Sequence, residues 1–194
     1  MSRFTTLAAL AALVLLGGCA SREVLIAKSA AVPVGVDLSG QWRLRDSSRD
    51  TVKRIDDAEM KAAGGEEGIQ LVKPSSQRSR RRPTDGSLVH VFLETGDALK
   101  ITQTDFGLFI SFDRAIVEEY RFGEKRLISV GEIQADRVSG WQKNAYIIET
   151  LDMDEVKLIE SYSLNDSAQQ LIRSIVVTDG VERHLDVTQV FDRN

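Results

Sequence analysis

The apolar residues of this chain form two kinds of pattern. Near the N-terminus, residues 7–16 are an unbroken apolar run, LAALAALVLL. From Val89 onward, apolar and aromatic residues recur in runs of about five to nine, separated by turn signals such as Asp179-Gly180, which is typical of strands joined by hairpins. This pattern predicts an all-β domain, an antiparallel meander of roughly eight to ten strands that closes into a barrel or a sandwich.

Residues 1–18 are predicted to form a secretory signal peptide. The apolar run is too short for a membrane-spanning helix, which takes ~20 residues, but it suits the core of a signal peptide. It ends in Leu16-Gly17-Gly18-Cys19, which resembles the lipobox of bacterial lipoproteins. The resemblance implies that Cys19 is acylated and becomes the mature N-terminus. Ordinary signal cleavage after Ala20 is the alternative.

The lipid anchor makes a membrane the first expected partner. Two or more acyl chains hold a protein stably on a bilayer, at ~0.8 kcal/mol for each buried methylene group. Ala20, and not aspartate, follows the cysteine. By resemblance to enterobacterial sorting rules, this implies the periplasmic face of the outer membrane.

Three segments are expected along the chain: the signal peptide at 1–18, a lipidated tether at 19–36 and a single β domain at 37–194. The domain contains a long irregular insertion at about 46–87, which interrupts the strand pattern after the first strand. Within the insertion, Asp56–Ala63 is predicted to form two helical turns. A basic patch follows that has too few apolar groups to order itself: Arg78, Arg80, Arg81 and Arg82.

Two hairpins can be assigned a register from their turns. A two-residue turn at Asp179-Gly180 pairs Arg173 with Asp186 on an exposed face and directs His184 to solvent. The facing positions then form the inner surface: Ile172, Val176, Val181, Leu185, Val187 and Phe191.

The second hairpin, with its turn at Met153-Asp154, places two carboxylates, Glu149 and Glu160, on an inner face. The members of that face are Ala145, Ile147, Glu149, Leu151, Val156, Leu158, Glu160, Tyr162 and Leu164. Buried carboxylates need a partner. They form internal salt bridges with an arginine such as Arg121 or Arg137, a bulge turns them outward, or they contact a ligand inside a cavity. Glu149, Glu160 and Tyr162 are therefore the candidate ligand-binding residues.

Composition narrows the chemistry further. The 194 residues include two histidines and one cysteine, too few for a usual zinc or copper site, and we expect no metal and no cofactor. The sequence contains neither a nucleophile elbow nor a phosphate-binding loop, so we expect no enzymatic activity. The net charge of −4 and the envelope address argue against a nucleic-acid partner.

Several short motifs resemble lipocalins and related bacterial lipocalin-like domains. Leu38-Ser-Gly40-Gln-Trp42 is similar to the G-x-W opening strand of that family, and the C-terminal half adds Trp141, Glu160-Ser-Tyr-Ser-Leu and Val190-Phe-Asp-Arg193. The resemblance implies a lipocalin-like barrel in which Arg193 packs over Trp42, and both Trp42 and Trp141 are expected in the core.

Two functions remain open at this point. The first is a membrane-anchored, non-enzymatic module that binds a small amphipathic ligand in a cavity of at least ~300 Å³. The alternative is an interaction protein of envelope maintenance, which docks an envelope protein or an anionic surface through its Arg78–Arg82 loop.

Overall fold

The computed structural model describes residues 22–62 and 88–194. Within these ranges there is one α-helix, α1 (Arg49–Ala62), which follows a 3-10 turn at Asp46–Ser48, and a 3-10 helix at Leu88–Phe92. The rest is mainly β-structure. The described strands are β1 Gly40–Leu44, β2 Ala98–Gln103, β3 Gly107–Phe112, β4 Ile116–Arg121, β5 Glu124–Val130, β6 Ile133–Gln142, β7 Ala145–Asp152, β8 Lys157–Leu164, β9 Gln170–Thr178 and β10 Arg183–Arg193.

All these strands belong to one antiparallel sheet in the order β4-β3-β2-β1-β10-β9-β8-β7-β6-β5. Pairing of β1 with β10 joins the two halves, and the sheet curls into a nearly closed barrel. The outermost strands β4 and β5 are linked by the turn at Phe122-Gly123 but do not pair, so a gap remains in the wall. The predicted all-β meander is confirmed.

The two ends of the barrel differ. At the helix end lie α1, the Leu88–Phe92 segment and the turns 113–115, 131–132, 153–156 and 179–182. At the closed end lie the turns 104–106, 122–123, 143–144 and 165–169. Because β4 and β5 diverge from their turn at the closed end, the gap between them widens towards the helix end.

The apolar core forms a cluster at each end. One cluster includes Trp42, Tyr146 and Phe191 near the closed end and continues along β1–β3 to Phe112. At the helix end, Ile55 of α1 packs with Phe92 and with inward side chains of the last strands. Both clusters follow from the alternation of the strands, because every second side chain points inward.

Helix α1 begins at Arg49, earlier than the predicted start at Asp56. Its apolar residues Val52, Ile55 and Ala58 recur at helical spacing and face the barrel, with Ile55 fully buried. The sequence prediction missed the first half because this face has few apolar residues. The rest of the predicted insertion, residues 63–87, lies outside the described part of the chain.

Residues 22–31, which we call the strap, pack along the outside of β6, β7 and β8. Leu25 is buried against Val138 and Leu151. Ser29 exchanges two backbone hydrogen bonds with Trp141, of 3.1 and 2.8 Å. The predicted tether of residues 19–36 is therefore held against the domain from Arg22 onward.

Gly140 makes room for the strap. A Cβ atom at this position would lie 2.6 Å from the carbonyl oxygen of Ser29 and 2.8 Å from the Cβ of Lys28. Lys28 adds an ion pair of 2.6 Å with Glu149 on the same outer surface.

No helix in residues 22–62 and 88–194 has both the length and the apolar character needed to cross a bilayer.

Candidate functional site

A polar layer lies within the apolar interior of the barrel. Its centre is Arg173 of β9, which is fully buried. The Arg173 guanidinium donates hydrogen bonds to Glu160 Oε2 from Nε, at 3.1 Å, and from a terminal nitrogen. It also donates to Gln189 Oε1 at 3.4 Å and to the backbone oxygen of Glu94 at 2.7 Å. Each partner lies on a different element, so this one side chain ties three strands to the segment after Leu88–Phe92.

Aromatic rings complete the surroundings of Arg173. Its guanidinium carbon lies 5.2 Å from the ring centre of Phe112 and 5.5 Å from that of Tyr162. The Tyr162 hydroxyl donates to Glu160 Oε2 at 2.9 Å. Burial raises the pKa of Tyr162 well above its usual value, despite the opposing effect of Arg173, so the phenol remains a donor at physiological pH. The Glu160–Arg173 pair is thus neutral overall and hydrogen-bonded within the core.

A second inward arginine, Arg137 of β6, lies nearer the gap. Its Nε donates to Thr150 Oγ1 at 3.0 Å, and its guanidinium carbon lies 5.7 Å from the ring of Phe92 and 5.6 Å from that of Tyr120. Its carboxylate partner is Glu118 of β4 at 3.5 Å, across the gap. This distance is longer than that of a good charge-assisted hydrogen bond, so the pair is loose.

A cavity of about 310 Å³ occupies the gap. Its polar wall is made by Glu94, Glu118, Arg126 and Arg137. Its other wall is mainly apolar: Val91, Phe92, Leu127, Ile128 and Val130. The volume lies at the lower end of the range for ligand pockets, and the lining combines charged groups with exposed apolar surface.

Glu94 links the cavity to the polar layer. Its backbone oxygen accepts from Arg173, while its carboxyl lines the cavity. Partial burial raises the pKa of Glu94, and the nearby carboxylates of Glu118 and Glu160 raise it further. The cavity therefore contains one carboxyl that takes up a proton more readily than a free glutamate.

A larger depression of about 800 Å³ lies on the outside of β1–β4. Its lining includes outward residues such as Arg43, Lys100 and Phe109, and it makes no contact with the polar layer in the described chain. The outer depression is the larger of the two candidate sites. The gap cavity is better suited to bind a specific ligand, because its charged side chains are held by buried partners. We therefore take the gap cavity as the candidate site.

The predicted ligand-binding residues are divided between the two faces of the barrel. Glu160 and Tyr162 lie in the polar layer, as their strand pattern indicated. Glu149 was placed on the wrong face: its side chain points outward and pairs with Lys28. None of the three lines the gap cavity.

The error at Glu149 comes from the turn. The hairpin closes through a hydrogen bond from Asp152 to Val156, with Glu155 at a positive φ of 64°, and is one residue longer than the predicted turn permits. Glu149 therefore pairs with Ile159, and the inward residues of β7 are Tyr146, Ile148 and Thr150. A shift of one residue exchanges the two faces of a strand.

The same kind of error concealed Arg173. Its predicted exposed pairing with Asp186 is wrong, and Arg173 pairs with Gln189 instead. The β9–β10 loop runs from Asp179 to Glu182, which shifts the register by two residues and keeps the faces, but a β-bulge between Arg183 and Leu185 adds a third residue and exchanges them. Arg173 therefore points inward. Of the predicted inner positions, Leu185, Val187 and Phe191 are buried, whereas Ile172 and Val176 lie on the outer face. His184 is exposed as expected.

The contact implied between Arg193 and Trp42 is present. The guanidinium carbon lies 4.1 Å from the ring centre, and its terminal nitrogen donates to the backbone oxygen of Ser39. Trp141 is also buried, against Phe122 and Tyr146. Cys19 and the basic patch Arg78, Arg80, Arg81 and Arg82 lie outside the described residues.

No protein-family model matches the sequence, and no curated protein matches it either. Solved structures with a similar chain path include secretory abundant heat soluble protein 4 from Ramazzottius varieornatus, at 11% identity and a TM-score of 0.49, covering 84% of this chain and 99% of that one. Lipid binding protein 8 from Caenorhabditis elegans has 10% identity and a TM-score of 0.46, covering 82% and 99%.

A third similar structure is the REP1-NXSQ fatty acid transporter, at 15% identity and a TM-score of 0.46, covering 81% of this chain and 96% of that one. The fold itself is an all-β, nearly closed barrel made of one antiparallel sheet, as the strand pattern predicted. At these identities and scores the likeness concerns architecture alone.

Proposed function

We propose that this protein is a lipid-anchored module of the bacterial envelope that binds a small amphipathic molecule with one anionic group, without catalysing a reaction. The observation that carries the binding proposal is the cavity in the β4–β5 gap, where two arginines face an apolar wall. The anchor is supported by the lipobox-like Leu16-Gly17-Gly18-Cys19.

The polar end of the ligand is assigned to Arg126 and Arg137. Arg137 is nearly buried and oriented by Thr150, so little side-chain entropy is lost when it meets an anion. Arg126 donates to the backbone oxygen of Glu119 at 3.2 Å and lies 3.6 Å from Glu124. An anionic group can compete with the loose contact between Arg137 and Glu118, because that contact lacks the geometry of a strong pair.

The apolar end of the ligand is assigned to the mouth of the gap. Val91, Leu127 and Val130 line the cavity and remain 39, 59 and 48% exposed. Covering apolar surface contributes about 25 cal/mol per Å², so a short hydrocarbon chain gains affinity here. A cavity of about 310 Å³ accommodates roughly ten non-hydrogen atoms at the ~30 Å³ that a water molecule occupies in the liquid.

Octanoate is a probe of this size and charge. We expect it to bind, as measured by isothermal titration calorimetry, and 1-octanol to bind more weakly because it lacks the carboxylate. Arg126→Gln removes a charged hydrogen bond of ~1.5–3 kcal/mol and is expected to weaken octanoate binding by about tenfold or more.

Arg121→Gln is the matched control. Arg121 lies on the neighbouring strand β4, is exposed, and does not line the cavity. Its loss is expected to leave affinity unchanged. Absence of octanoate binding, or equal affinity in the two variants, would reject the cavity as the binding site.

The anchor is tested separately through Cys19→Ser. We expect this variant to accumulate as an uncleaved precursor or to be released from membranes by salt washing. A mature variant that still requires detergent for extraction would reject the lipid anchor.

A further inference from the structure

We infer that the helix end of the barrel, with the mouth of the β4–β5 gap, lies against the membrane to which Cys19 is anchored. This inference deepens the proposed function and rests on its lipid anchor. It adds an orientation, and with it a direct route between the bilayer and the cavity.

The docked strap determines where the anchor emerges. The first described residue, Arg22, is held at the helix end of the barrel: its guanidinium donates to the backbone oxygen of Asp152 at 3.4 Å and lies 3.8 Å from Asp136. The next residue, Glu23, forms an ion pair with Lys157. The strap then runs towards the closed end, where Ser29 pairs with Trp141.

The chain between the anchor and Arg22 is short. Three Cα–Cα steps separate Cys19 from Arg22, and at 3.8 Å each they reach at most roughly 11 Å. The long strand β6 (Ile133–Gln142) spans about 33 Å at 3.3 Å per residue. The acyl chains can therefore bring the helix end to the bilayer surface while the closed end stays remote.

The helix end also presents apolar side chains suited to that surface. They come from five separate segments and are all exposed: Leu88, Val91, Ile116, Val130, Met153 and Val181. At the closed end, Phe106, Val32 and Val34 are exposed. Scattered apolar tips that converge on one end of a barrel, next to an anchor, fit the interfacial region of a bilayer.

The gap opens at the same end. Ile116 at the start of β4 and Val130 at the end of β5 flank its mouth, and β5 is two strands from β7, where Arg22 is held. At about 4.8 Å per strand the mouth lies about 10 Å from the anchor point. A ligand could therefore pass between bilayer and cavity without crossing water.

Electrostatic attraction alone does not hold the helix end on a membrane. Its turns carry Asp154, Glu155, Asp179 and Glu182, which anionic lipids repel. We therefore expect the orientation to depend on acylation.

The test uses the full acylated protein reconstituted in phosphatidylethanolamine–phosphatidylglycerol vesicles. Cys19 is the only cysteine and is blocked by its acyl groups, so a single introduced cysteine can be labelled with an environment-sensitive fluorophore. Met153→Cys probes the helix end, and Phe106→Cys is the matched exposed turn position at the closed end. A third label, at Lys143→Cys, probes the closed end on the wall that carries the strap.

Doxyl-labelled lipids are expected to quench the label at position 153 at least threefold more than those at 106 and 143. Similar quenching at 153 and 143 would show that the barrel lies on its side, and stronger quenching at 106 would show the reverse orientation; both overturn the inference. A protein that does not float with the vesicles would overturn the anchor itself. Flotation without quenching at 153 would overturn the orientation alone.

Discussion

Replacement of Arg173 by methionine tests whether the polar layer stabilises the fold. Methionine preserves most of the side-chain volume and removes every donor. Glu160, which is 1% exposed, then keeps one side-chain hydrogen-bond donor among the described residues, the Tyr162 hydroxyl. Loss of one partner from a buried ion pair costs about 3–5 kcal/mol, far more than the ~0–1 kcal/mol of an exposed pair.

Urea unfolding followed through the fluorescence of the buried Trp42 and Trp141 measures this loss. We expect a decrease of about 4 kcal/mol at pH 7. The double variant Arg173→Met/Glu160→Gln should recover most of it, since no charge is left unpaired. A loss below about 1 kcal/mol at pH 7, or a double variant no more stable than the single one, would refute the argument.

Three further predictions follow from single contacts. The pKa of Glu94 is raised in the folded state, so folding disfavours its charged form. Glu94→Gln should therefore stabilise the protein at pH 7 and have no effect near pH 3. Urea unfolding at the two pH values tests this. His90 has an Nδ1 that is buried without a hydrogen-bond partner among the described residues, and its pKa is lowered by burial and by His184. Wild-type stability should therefore fall as the pH drops below ~6.5, and His90→Leu should flatten that curve. Gly140→Val should displace the strap and increase hydrogen exchange at residue 29. Gly131→Asn is the control: Gly131 has open space around it and a φ of 58°, which asparagine tolerates, so exchange at residue 29 should stay unchanged.

The barrel could be predicted from the chain, but the registers of its hairpins could not. Strand patterns report alternation, whereas the face that points inward depends on how many residues each turn contains and on bulges within the strands, such as the one between Arg183 and Leu185. In β9 both alternations are apolar: Leu171, Ile175 and Val177 on one face, Ile172 and Val176 on the other. The two-residue turn assumed at Asp179-Gly180 selected the second set and placed Arg173 outside.

A signal for the correct choice was nevertheless present. The inward set of β9 contains one more large apolar residue than the outward set, and Arg173 is its only charged member. Glu160 had already been placed inside on β8, and an inward carboxylate needs an inward cation. Requiring that partnership would have selected the observed register. The gap cavity had no comparable signal, because Arg126, Arg137 and Glu118 meet only through the closure of the barrel.

The gap itself follows from the residues on its two edges. If β4 and β5 paired along their length, Glu118, Arg126 and Arg137 would be brought together inside a closed wall with Tyr120 and Phe92. Removing those charges from water costs several kcal/mol per ion, which the few added backbone hydrogen bonds, at about 1 kcal/mol each, would not offset. Inward-pointing charge is also a recognised means of keeping strand edges from pairing. The charged lining on which the proposed binding depends therefore also favours an open gap, and apolar replacements at Glu118 and Arg126 together should favour closure and loss of the cavity.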